Sequence, residues 1–78
     1  MTNKQATDIA AQIGAGVEVR EYPKRVEDKN PFYYAVCGQR GCDPLTLDAV
    51  RKEVVRMGAG YCIEQTPKWA TGAEWAVY

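Results

Sequence analysis

Seventy-eight residues are enough for one hydrophobic core and too few for a second domain. Ten basic and ten acidic side chains cancel, and residues 1–38 carry five of each, so neither half has the field that draws a protein onto nucleic acid or an anionic membrane. Histidine is absent, which removes the commonest general base and metal ligand, and no window approaches the ~20 apolar residues of a membrane span.

The chain opens on Thr2, a residue suited to capping. Ala6, Ile9, Ala10 and Ile13 follow at helical spacing and predict a short first helix that ends at Gly14. The period then changes to two: Val17 and Val19 alternate with Glu18 and Arg20 in a half-buried strand that stops at Pro23. Glu27-Asp28-Lys29-Asn30 reads as a solvated turn. Phe32 to Cys37 is apolar and aromatic, which suits a central strand.

Asp43-Pro44 has the pattern of a cap and first-turn proline, with Thr46 as a second cap candidate. Leu47, Val50, Val54 and Met57 then line one face of a second helix, and Asp48 is spaced to pair with Lys52 on the other. Gly58 is positioned to stop that helix. Tyr61 and Ile63 alternate with Cys62 and Glu64 in a third strand ending at Pro67, and Glu74 to Tyr78 form the last strand.

The chain also repeats itself. Residues 13–24 and 57–68 share Gly-Ala-Gly and Pro-Lys at an offset of 44, and Tyr34-Ala35-Val36 answers Trp75-Ala76-Val77 at an offset of 41. Three residues fewer in the second intervening loop account for the difference, and loops absorb such changes cheaply. These matches imply one domain over residues 1–78, built by duplicating a helix-strand-strand unit over approximately residues 2–38 and 46–78. The expected fold is α+β, in the order αββαββ. Its four-stranded antiparallel sheet should run 3-4-2-1 with both helices on one face, and Tyr34 and Trp75 should face the helices. In architecture this is similar to a permuted ferredoxin-like sandwich.

Gly14-Ala15-Gly16 and Gly58-Ala59-Gly60 resemble the opening of a dinucleotide fingerprint, yet they follow helices instead of preceding them. There they meet the negative end of the helix dipole and read as helix stops. Cys37, Cys42 and Cys62 match no strong zinc or thioredoxin-type spacing. The expectation is three reduced thiols, no metal and no cofactor.

If Val17, Val19, Tyr34, Val36, Ile63, Trp75 and Val77 point into the core, alternation puts Arg20, Tyr22, Tyr33, Cys37, Cys62, Glu64 and Tyr78 on the other face. Lys24, Lys68 and Trp69 fall at the hairpin tips, where Trp69 is hard to bury in so small a core unless it folds back over the sheet edge. Tyrosines beside arginine are the composition of interface hot spots. The expected binding residues are therefore Arg20, Tyr22, Lys24, Tyr33, Lys68, Trp69 and Tyr78.

The matching function is a small, non-enzymatic, cytoplasmic protein-binding module, monomeric or homodimeric and not membrane-bound. An inhibitor or regulator from a phage or mobile element is one form that such a module takes, and anti-CRISPR proteins are similar in size and style. One alternative is a single-stranded nucleic-acid-binding protein that stacks bases on the tyrosines, which the neutral net charge disfavours. A cysteine-based redox protein is the other, and it lacks a partner base.

Overall fold

The computed structural model describes residues 1–21, 34–58 and 62–78. Thr2 caps α1 (Asn3–Ile13): its hydroxyl accepts the Gln5 N–H at 3.0 Å, while Gln5 Oε1 accepts the Thr2 N–H at 2.9 Å. This reciprocal pair satisfies two of the donors a helix start leaves open. Gly14 closes the helix at φ 85°, a conformation that glycine enters without a Cβ penalty. β1 (Val17–Glu21) follows directly.

β2 (Tyr34–Gln39) and α2 (Leu45–Arg56) come next, then β3 (Ile63–Gln65) and β4 (Ala73–Val77). The cap of α2 corrects one expectation. Thr46 lies inside the helix, and Asp43 does the capping, its Oδ1 accepting the Leu45 N–H at 2.9 Å with Pro44 at φ −54° between them. Proline has its φ preset for the first turn and no N–H to satisfy, so the helix starts there instead of one turn later. On the exposed face Asp48 pairs with Arg51 at 3.6 Å, where the spacing suggested Lys52.

The sheet runs β1-β2-β4-β3 with every neighbour antiparallel, as expected. β2 and β4 are central and nearly fully buried, while the more polar β1 and β3 form the edges. Ala6 and Ile9 of α1, Val50 and Val54 of α2, and Val36, Trp75 and Val77 of the sheet make one core cluster, so both helices cover the same face. Tyr34, Val17 and Val19 pack against it, which puts Tyr34 and Trp75 on the helix side. Ile63 shares that side through its pairing with Val77 but stays 36 % exposed. The helices pack mainly against β1, β2 and β4. The expected strand positions Phe32, Tyr33 and Tyr61 lie outside the described residues.

Trp75 needs room that only glycine leaves. Its cross-strand partner is Gly38, and a Cβ there would fall inside the indole ring. Gly38→Ala should therefore displace Trp75 and destabilise the domain by about 1–3 kcal/mol, the usual range for an overpacked core. A urea midpoint that drops at unchanged slope is the expected result. An unchanged midpoint would mean that the ring is free to move aside.

Candidate functional site

The face away from the helices is less open than alternation alone suggests. Ala35, Cys37 and Ala76 form its floor and have no exposed surface. Ala70 and Ala73 cluster with them, and Trp69 and Tyr78 pack against that cluster. The cause lies in the segment between β3 and β4. Thr66 adopts a φ of 42°, Pro67 and Ala70 are buried, and Trp69 turns back onto the sheet rather than projecting from a hairpin tip. Small side chains on β2 and β4 leave the space for it.

Among the described residues, one carboxylate joins the two rings. Glu64 Oε1 accepts from Trp69 Nε1 at 3.3 Å and from the Tyr78 hydroxyl at 3.2 Å. The two rings meet edge to face, with centroids 6.1 Å apart and planes 80° apart, a geometry that aromatic quadrupoles favour. Trp69 and Tyr78 each remain half-buried, and Lys68 beside them is exposed. The site is thus an aromatic pair with fixed orientation at one margin of the face.

Arg20 stands at the other margin. Glu18 and Arg20 on β1 sit opposite Cys37 and Ala35 on β2, and Arg20 Nε donates to Glu18 Oε1 at 2.7 Å. The pairing of Val36 with Val77 sets Ala35 next to Tyr78, so Arg20 and Tyr78 flank Ala35 on one face. Of the expected binding residues, the structure brings Lys68, Trp69 and Tyr78 together and leaves Arg20 across the floor from them. Tyr22, Lys24 and Tyr33 lie outside the described residues. Alternation did place Glu64 on this face, but its role as the acceptor that orients both rings had no signal in the sequence.

The thiols occupy three different settings. Cys37 is buried in the floor, Cys42 is half-buried and packs against the helix-side core, and Cys62 is exposed at the β3 edge. Burial pushes the Cys37 thiol up from the usual 9.0 to about 11, with Arg20 opposing the rise and Glu18 adding to it. A thiol so protonated is a poor nucleophile at neutral pH. Among the described residues no group of three or more cysteine or carboxylate side chains is arranged to hold a metal ion. The outer face of α2 exposes Leu45 and Val55, and among the described residues Asp48, Arg51, Lys52 and Val55 line an open depression there of about 430 Å³.

Two outcomes follow from this geometry. Glu64→Leu removes the acceptor from both rings, and losing hydrogen bonds to a charged group costs about 1–3 kcal/mol. Amide exchange at Ala70 and Ala73 should accelerate while Val36 and Val77 stay protected; equal acceleration throughout would mean that Glu64 supports the whole sheet. For Cys37, the folded thiol keeps its proton to about 11 while the unfolded thiol loses it near 9.0, so the folded state binds more protons in that window. Stability contributed this way is complete below the unfolded value and is lost as pH rises through the window. The urea midpoint of the wild type should fall relative to that of Cys37→Ala across it, and parallel curves would refute the assignment.

Compared with protein-family models, curated proteins and solved structures, the chain matches none of them, so its function has to be argued from its own residues.

Proposed function

We propose that the chain is a small, non-enzymatic protein-binding module whose contact surface is centred on Trp69 and Tyr78, with Lys68 at its rim. The observation that supports this most is the aromatic pair itself. Two half-buried rings are fixed by one carboxylate and by each other, so a partner would meet them already ordered. Aromatic anchors with little entropy left to lose are what binding hot spots use. The chemistry of the chain also favours binding over catalysis, because it has no histidine and its best-shielded thiol is protonated. A soluble cytoplasmic inhibitor or regulator, of the kind phages and mobile elements carry, is the form of module proposed.

The proposal extends to the origin of the domain as a duplicated helix-strand-strand unit, similar to a permuted ferredoxin-like sandwich. Register supports it. The offset of 44 carries Val19, Arg20 and Glu21 onto Ile63, Glu64 and Gln65, and the offset of 41 carries Val36, Ala35 and Tyr34 onto Val77, Ala76 and Trp75. Each of the three β3–β4 pairs is then the image of a β1–β2 pair. Val36 also faces its own counterpart, Val77, across the sheet, where a pseudo-twofold axis would pass.

The test uses the wild type, Trp69→Ala and Tyr78→Ala as parallel baits in an extract of the source cells, followed by affinity measurement with the captured protein. Each substitution should weaken binding by more than ~1 kcal/mol with the circular dichroism spectrum retained. Equal affinity for all three baits would reject the surface. A complex that weakens steeply with added salt and requires nucleic acid would favour the base-stacking alternative instead.

A further inference from the structure

The sheet has two edges, and they differ in what they offer. On β1 the Gln39 N–H donates to Gly16 O at 2.8 Å, which sets the alternation of the ladder. Gly16, Glu18 and Arg20 turn their backbone groups toward β2, so those of Val17, Val19 and Glu21 point outward. Among the described residues, nothing accepts or donates at that outer side. An unpaired row of this kind is a template for another strand.

The side chains determine which strand fits. In an antiparallel pairing centred on Val19, Val19 bonds Val19 of the second strand and Val17 bonds its Glu21, using every outward group. Glu18 then falls directly opposite a position 20 and Arg20 opposite a position 18, in the closely spaced non-hydrogen-bonded sites. A second copy of the same strand puts arginine opposite each Glu18 and glutamate opposite each Arg20. Glu18 and Arg20, joined to each other on one strand, then each also meet an opposite charge on the second copy.

β3 does the reverse. It has only the residues Ile63–Gln65, and a two-fold centred on it would set Glu64 against Glu64 while that carboxylate is engaged by Trp69 and Tyr78.

We propose that the chain forms a symmetric homodimer in which β1 pairs antiparallel with β1 of a second copy about a two-fold axis at Val19, joining two four-stranded sheets into one continuous sheet. The interface is isologous and closed, so it ends at two copies instead of growing into a fibre. It uses the edge opposite Trp69 and does not depend on the proposed binding surface.

Sedimentation of the wild type should show a reversible monomer–dimer equilibrium between micromolar and millimolar concentration. Glu18→Arg places like charges across both sites, as does Arg20→Glu, and each alone should weaken the dimer by about tenfold or more. Mixed one to one, the two variants restore opposite charges at both sites and should form a heterodimer about tenfold or more tighter than either variant's homodimer. Failure of the mixture to associate, or a wild type that stays monomeric to millimolar concentration, would overturn the proposal. If either variant fails to fold, amide exchange on the wild type decides the matter. Val17, Val19 and Glu21 should gain protection as concentration rises, and protection independent of concentration would reject the dimer.

Discussion

The pairing of β2 with β4 is the constraint on which the rest of this structure depends. Each of these strands has a neighbour on both sides, and they come from different halves of the chain, so the Val36–Val77 pair is where two hairpins become one sheet. A helix and hairpin of under ~40 residues buries too little surface to be stable alone. Joined, the two strands bury Val36 and Val77 beneath the helices and Cys37 and Ala76 on the other side, all four without exposed surface. The ladder shifts register between Gly38 and Gln39, just beyond the point where Trp75 lies over Gly38. The tightest packing in the core and the end of the central pairing therefore lie next to each other.

A single sheet covered on one side would leave a broad surface for water or a partner. Here the chain covers part of the second side itself, and it does so with unusual economy of means. The floor is built from alanine and cysteine, and among the described residues the cover is one tryptophan, one tyrosine and the Pro67–Gly72 segment. The polar ends of both rings find the same carboxylate, so the cover is oriented as well as attached. Among the described residues of that face, Trp69 and Tyr78 stay half-buried, while Lys68 beside them is exposed.

Most of the architecture was legible in the sequence because it rests on period. Val17 and Val19 against Glu18 and Arg20 specify a strand and its inward face, and Leu47, Val50, Val54 and Met57 specify a helix and its stripe. The sequence matches at offsets of 44 and 41 fall on positions that the two hairpins hold in equivalent register. Period says nothing about reach, which is why Ile63 was expected in the core and lies 36 % exposed on an edge strand. Nor does it say which of two competent caps wins, so Asp43 and Thr46 could not be separated until the position of Pro44 was seen in three dimensions. The fold-back of Trp69 was one of two placements open in the sequence, and where the ring lands was the least legible feature. It depends on small residues from two distant strands making room and on Glu64 facing the right way, none of which is local to Trp69.

The two tryptophans lie on opposite sides of one sheet, Trp75 in the helix-side core and Trp69 on the far side beside Tyr78. The chain thus carries two intrinsic optical reporters in separate environments, one almost dry and one partly wet. A collisional quencher in solution reaches the second before the first. Opening of the β3–β4 segment and melting of the core would change emission in different ways, so local and global events can be told apart by light alone, with no label attached.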